Sequence, residues 1–293
     1  MTSAPVLPKR RPGRSGQAES NPLRRIITSP RDRLVIYVVL VLFAIAFVFP
    51  LYSAINRSLQ INGLANYISL FTEPIGQTTI FATYVNSFGI GAIHAAITVT
   101  VSATAGFAFS KLVFRGRELS FAFVLLFLAV PGIAILVPIY HLTQQMGLFN
   151  TYLGVALPEA ALTIPFGVLL MRNYGRNIPD SLLEAGSLDG AGPYRTFWNI
   201  FLPLSRPALV NLTILCFIWS LQDFLWPTFI FTDPKLATAA QAVQTFANQL
   251  GQGAADQAKY NASLVLLAVP AALFVIFGLR YIVNGLTAGS TKE

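Results

Sequence analysis

The chain has 293 residues, of which 54% are hydrophobic and only 11% charged. A soluble domain carries about a quarter of its residues charged, so this composition excludes an ordinary water-soluble fold and points to lipid as solvent. The formal charge of +8 would suit a nucleic-acid partner, but the placement of the basic residues argues against one.

Residues 1–33 differ from the rest. Lys9, Arg10, Arg11, Arg14, Arg24, Arg25, Arg31 and Arg33 stand there among Pro, Gly and Ser with almost nothing apolar. Such a segment buries too little surface to offset its ordering entropy, which predicts a solvated, disordered tail. Docking on anionic lipid head groups stays open. No short apolar core with a small-residue cleavage site follows, so a secretory signal is not expected.

A helix rises 1.5 Å per residue, so about 20 apolar residues cross a hydrocarbon core roughly 30 Å thick. Six windows meet or approach that length: 34–55, 83–110, 119–140, 152–171, 208–231 and 262–279. Glu159 and Asp223 are the charged residues inside them. Helices are required, because an open strand would leave backbone groups unpaired in lipid. The expected fold class is therefore all-α integral membrane with six transmembrane helices. Pro50, Pro131, Pro158, Pro165, Pro227 and Pro270 interrupt these windows. Transport bundles use such breaks near cavities, although membrane helices in general carry them.

With the N-terminus inside, every Lys and Arg except Arg57, Lys235 and Lys259 falls on the inner side. Cytoplasmic loops hold that excess, so both termini are expected in the cytoplasm. The basic balance is a topology signal, and no nucleic acid is expected as a partner.

The segment 172–206 between the fourth and fifth windows is too polar for lipid yet reads as a helical hairpin. Ser181 and Glu184 match a capping box, with Asp180 as a rival N-cap. Leu182, Leu183, Ala185 and Gly186 follow on a short amphipathic turn. Gly190 and Gly192 can end it in the left-handed region. Pro193 suits the first position of a second helix carrying Phe197, Trp198 and Ile200, and Pro203 closes that helix. Physical reasoning alone leaves two readings open: a docking surface for a partner, or a hairpin packed under its own bundle.

These residues carry a resemblance. E-A-G, three residues, Gly, nine residues, then I-x-L-P (Glu184, Ala185, Gly186, Gly190, Ile200, Leu202, Pro203) resembles the signature loop of bacterial ABC-importer permeases. Gly186 stands where the family usually has Ala. The chain looks like the smaller, six-span permease of maltose-type carbohydrate importers over roughly 34–291. Supporting stretches are Y-V-N-S-F at 84–88, G-F-A-F-S-K at 106–111, L-V-P-I-Y at 136–140, W-S-L-Q-D-F-L-W-P at 219–227 and R-Y-I-V-N-G-L-T-A-G at 280–289. Leu221, Gln222 and Asp223 stand where the family often shows W-N-E.

The resemblance implies a subunit of the bacterial cytoplasmic membrane that moves a sugar or oligosaccharide by alternating access. Its implied partners are a second permease subunit, two ATP-binding subunits and an extracytoplasmic solute-binding protein. Ser181, Glu184, Ala185, Gly186, Asp189, Gly190, Ile200, Leu202 and Pro203 would form the docking loop for an ATP-binding subunit. The chain shows no phosphate-cradling glycine loop with Lys and Ser/Thr, so it is expected to hold no cofactor, with ATP and Mg on the partner subunits. It is expected to be a transporter subunit and no enzyme. A permease for a phosphorylated polyol or polyamine is an alternative. An ion-coupled carrier fits less well, because it needs a relay of buried acids.

Ionisable residues inside the membrane are candidates for function. Asp223 lies between Trp219 and Trp226 at helical spacing, and a carboxylate beside aromatic faces suits a sugar. A hydrogen bond to a neighbouring helix, with the tryptophans as interface anchors, is the simpler reading of the same residues. Trp219, Asp223, Trp226 and Glu159 are the candidate substrate pathway. His94 reads as an interhelical hydrogen-bonding group, and Asn86 and Asn211 as structural. Cys216, the single cysteine, sits in an apolar run and reads as packing. No metal-ligand spacing is present. The external segment 232–261 is long enough for one short helix.

Overall fold

A computed structural model describes residues 30–74, 77–249, 251 and 253–287, with backbone alone at 249 and 279–287. Of the tail expected over residues 1–33, residues 1–29 lie outside it, as do the C-terminal residues 288–293, while residues 30–33 are helical and not disordered. Contacts divide the chain into two units, Met1–Ser53 and Ala54–Glu293. The described part of the first is the body of helix α1 (Pro30–Ser58). It begins a few residues before the apolar window, because Pro30 needs no helical donor and Asp32 suits the positive end of the dipole.

The second unit holds α2 (Ala65–Thr72), α3 (Ile80–Lys111), α4 (Arg117–Ala129) and α5 (Gly132–Gln145). Next come α6 (Tyr152–Arg176), α7 (Asp180–Leu188), α8 (Pro193–Leu204) and α9 (Arg206–Gln222). The remaining helices are α10 (Leu225–Ile230), α11 (Ala239–Gln249) and α12 (Ala254–Thr287). No β-strand occurs among the described residues. Helices α1, α3, α6 and α12 are each long and apolar enough to cross a membrane, and the number reaches six if each of two bent pairs counts as one span.

Two windows expected as continuous spans are broken. The third turns by 91° between α4 and α5. Pro131 pushes Val130 into the extended region, with φ −80° and ψ 114°, and so ends the helix there. The fifth breaks at Asp223, which is extended at φ −70° and ψ 123°. Pro227 lacks the N–H that would bond the carbonyl four residues back, at Asp223, so an unbroken helix is not available. The Asp223 carboxylate instead accepts from Leu225 N at 2.8 Å, starting α10.

The most extensive pairing is α3 against α6, and small residues make it close. A Cβ on Gly106 would lie 2.4 Å from Met171 Cβ. One on Gly167 would lie 2.2 Å from Ser102 Oγ, and one on Gly175 2.3 Å from Ser110 Oγ. In lipid, where apolar burial drives little association, this backbone proximity is what packing depends on. Helix α9 lies against both and against α12, with Phe217 stacked on Phe274 at 5.3 Å. Cys216 is fully buried in that core, in keeping with a packing role.

On the side away from the hairpin, α2, α11 and the start of α12 join around Leu70, Ile80, Ala242 and Phe246. A salt bridge between Lys259 and Glu73 ties α12 to the residue that follows α2. Asn86 Nδ2 donates to the carbonyls of Lys235 and Ala237, both at 2.9 Å, and Asn86 Oδ1 accepts from Tyr152 Oη at 2.7 Å. Its expected structural role is met. The segment 232–261 contains α11, the one helix expected there, preceded by a short 3-10 turn and followed by the first turns of α12.

Candidate functional site

The hairpin α7–α8 is built as a stiff projection. Gly190 has φ +76°, the left-handed region open to glycine at low cost. Ala191 N donates to Gly186 O at 2.9 Å and Gly190 N to Ser187 O at 3.0 Å, which together form a complete Schellman stop. Gly192, the other candidate, has an ordinary φ of −71° and precedes Pro193 at the first position of α8. The expected capping box does not form, because α7 starts at Asp180 after Pro179. Ser181 is therefore the second helical residue and Glu184 the fifth, out of register for a box.

Nor does Pro203 close α8, which runs on to Leu204. A wider π-helical turn over Phe197–Phe201 precedes it, with Leu202 N donating to Phe197 O. That turn makes room for a ring that would otherwise strike the preceding carbonyls. The turn to α9 is 73°.

Ser181, Glu184, Ala185 and Leu188 fall on one exposed stripe of α7, at the spacing of a helical face. Leu188 is 90% exposed and Tyr194 on α8 is 79% exposed. Gly186 faces inward, where an added Cβ would meet Ile200 Cδ1 at 2.8 Å. Leu183 and Leu202 pack on the main core. The residues of the recognised motif thus divide into an open face and an inner face that sets the hairpin's shape.

The base of the hairpin is tied to the bundle. Lys111 Nζ donates to Ile178 O and to Asp180 Oδ1, both at 2.6 Å, and its side chain is only 4% exposed. Arg172 donates to both Glu118 carboxylate oxygens, at 2.7 and 2.5 Å, and its guanidinium lies 3.7 Å above the Phe121 ring. Phe107 on α3 meets Phe201 edge-on at 5.1 Å and Phe197 at 5.4 Å. Sequence reading missed Lys111 and Arg172. Their signal was the first basic residue after each long apolar run, Lys111 closing α3 and Arg172 a turn before the end of α6.

Inside the bundle, the breaks in α9 and the close α3–α6 pairing form a second site. A cleft of about 280 Å³ is lined by His94, Glu159, Thr163, Trp219, Ser220, Gln222, Asp223 and Trp226, among others. All four expected pathway residues meet there, although not by the helical spacing that suggested it, since α9 ends at Gln222. Glu159 turns toward the chain's own core, within 3.2 Å of His94. His94 Nε2 lies 3.1 Å from Thr163 Oγ1, the interhelical bond expected of it. Asp223 bonds its own neighbour Leu225. His94, Ser220 and Gln222 were not assigned to a site from sequence, and Pro227 four residues beyond Asp223 was the overlooked sign of the break. Among the described residues no group of three or more His, Cys, Asp or Glu could hold a metal ion.

Comparison with known proteins agrees with this architecture. Residues 96–286 match the family described as binding-protein-dependent transport system inner membrane component. The chain is 30% identical over 227 residues to the trehalose transport system permease protein SugB of Mycobacterium tuberculosis, covering 78% of this chain and 81% of that one. It is 31% identical over 230 residues to the trehalose/maltose transport system permease protein MalG of Thermococcus litoralis, with the same coverages. In structure it is similar to a chain of a bacterial ABC transporter involved in the import of the acidic polysaccharide alginate. There the TM-score is 0.69 and the identity 21%, covering 86% of this chain and 98% of that chain.

Proposed function

The chain belongs to the family of binding-protein-dependent transport system inner membrane components, permeases of ABC importers, and on that premise we propose how it works and what it carries. It is a transport subunit and not an enzyme. Its cargo is a sugar or oligosaccharide, as the names of its relatives support. It works beside a second permease subunit and receives solute from an extracytoplasmic binding protein. Two separate subunits bind ATP and Mg, and the distribution of Lys and Arg supports a cytoplasmic-membrane orientation with both termini inside.

The observation that carries this reading is the hairpin. Its outer stripe of Ser181, Glu184, Ala185 and Leu188 is open, while Lys111, Phe107 and the Schellman stop hold its base and shape. A lever needs those two properties: a face for the motor and a stiff joint to the moving bundle. ATP-driven closure of the partner subunits moves α7, and α7 moves α3 and α6. The cleft around Trp219, Asp223, Trp226 and Glu159 lies between those helices and α9–α10, on the route the solute takes.

The buried Cys216 is the sole cysteine, so a cysteine placed at Leu188 reports alone. In inside-out vesicles Leu188→Cys reacts with a membrane-impermeant maleimide, and assembly with the ATP-binding subunits protects it. Labelling from the outer face, or equal labelling with and without those subunits, would refute the docking role. Glu184→Lys should abolish uptake while leaving the protein in the membrane.

A further inference from the structure

The cleft in the bundle is unusual in what it lacks. Both carboxylate oxygens of Glu159, Oδ2 of Asp223 and Oγ of Ser220 are buried without a hydrogen-bond partner. The Glu159 side chain is 6% exposed. No Lys or Arg forms an ion pair with Glu159 or Asp223 among the described residues. Buried acceptors left bare cost free energy, so a native structure that keeps several in one cleft calls for donors from elsewhere.

A sugar ring supplies such donors. Its hydroxyls can donate to several acceptor oxygens at once. Its C–H face suits an aromatic ring. Trp219 is 41% exposed and braced edge-on by Phe166 at 5.5 Å, so a stacking surface is held ready. At about 280 Å³ the cleft sits near the lower limit of small-molecule sites, about 300 Å³. It has room for one ring rather than a chain.

We propose that this cleft binds one ring of a neutral sugar, through hydroxyls donated to Glu159 and Asp223 and stacking on Trp219, and that Asp223 excludes uronic sugars. The inference rests on the sugar-importer reading and deepens it. A uronic carboxylate would bring a further acidic group beside Asp223, into a cleft whose lining holds no Lys or Arg, and like charges in close quarters are repelled more strongly away from water. Asp223 is then a charge filter, Glu159 the deep acceptor, and His94 a positioning residue behind it.

The test is equilibrium binding of radiolabelled glucose, maltose and trehalose, against a glucuronosyl disaccharide, to the assembled importer in detergent without its binding protein. At least one neutral sugar should bind and the uronic one should not. Asp223→Asn should weaken the neutral sugar about tenfold and admit the uronic one, a gain that a purely structural role would not produce. Should Asp223→Asn fail to fold, Trp219→Ala takes its place and should lower neutral binding while leaving the charge preference intact. Equal binding of neutral and uronic sugars to the natural protein overturns the proposal, as does binding indifferent to these substitutions. Uptake by the complete importer in proteoliposomes separates the two levels. If sugar enters but both variants transport normally, only the cleft assignment fails; if no saccharide of any charge enters, the sugar reading itself fails.

Discussion

His94 Nδ1 stands 3.2 Å from Glu159 Oε2, with the two side chains 1% and 6% exposed. Thr163 completes the arrangement: its hydroxyl donates to Glu159 O at 2.8 Å and lies 3.1 Å from His94 Nε2. The His94–Glu159 contact lies outside hydrogen-bond geometry, and neither Glu159 carboxylate oxygen has a hydrogen-bond partner.

Breaking this pair should be costly and removing it whole should be less so. His94→Leu leaves a buried acid facing an apolar side chain, and losing one partner of a buried pair costs about 3–5 kcal/mol. The paired variant His94→Leu, Glu159→Leu should recover part of that loss. Thermal unfolding of the purified subunit in detergent measures it; a single variant as stable as the parent would show that the two residues are uncoupled.

Lys111 should couple the hairpin to the bundle. Lys111→Met removes the donor to Ile178 O and Asp180 Oδ1 while keeping a side chain of similar length. Hydrogen exchange across 180–188 should quicken about tenfold or more, since two charge-assisted bonds are lost. Uptake should fall while the protein stays in the membrane. Unchanged exchange would mean that the aromatic contacts of Phe197 and Phe201 hold the hairpin by themselves.

The two hairpin glycines should respond differently to alanine. At Gly186 the close neighbour of an added Cβ is the tip of Ile200, at 2.8 Å, with Ala191 Cβ at an ordinary 3.9 Å, and a flexible tip can move. Glycine inside a helix costs about 1 kcal/mol relative to alanine, so Gly186→Ala should be near neutral in stability and in uptake. Gly190→Ala forces a side chain into φ +76° at a cost of about 1–2 kcal/mol. Thermal melts of both variants check the order, which would be reversed if contact rather than backbone conformation ruled here.

Substitution at the α3–α6 contact should be severe. Gly106→Ala puts a carbon 2.4 Å from Met171 Cβ and 3.0 Å from its backbone carbonyl carbon, and backbone cannot step aside cheaply. The helices must part, and yield of folded protein should collapse. Gly132→Ala is the matched control, since its carbon meets only Leu162 Cδ1 at 3.1 Å. Equal yields, measured by size-exclusion chromatography after solubilisation, would contradict the packing argument.

What the sequence determined by itself was whatever depends on local composition and spacing. Apolar windows located the helices because each must satisfy its backbone internally in lipid. Pro193 and Gly190 marked the start of α8 and the end of α7, because ring and left-handed constraints act within a few residues. The division of the motif between an open stripe and an inner face was not legible, since it depends on Ile200 returning over Gly186. Pairings across long separations, such as Lys111 with Asp180 and His94 with Glu159, belong to the same kind. The cleft was decided only by tertiary structure: Pro227 breaks the fifth span at Asp223, α3 and α6 close through glycine, and three helices then bring together acids that lie far apart in the chain.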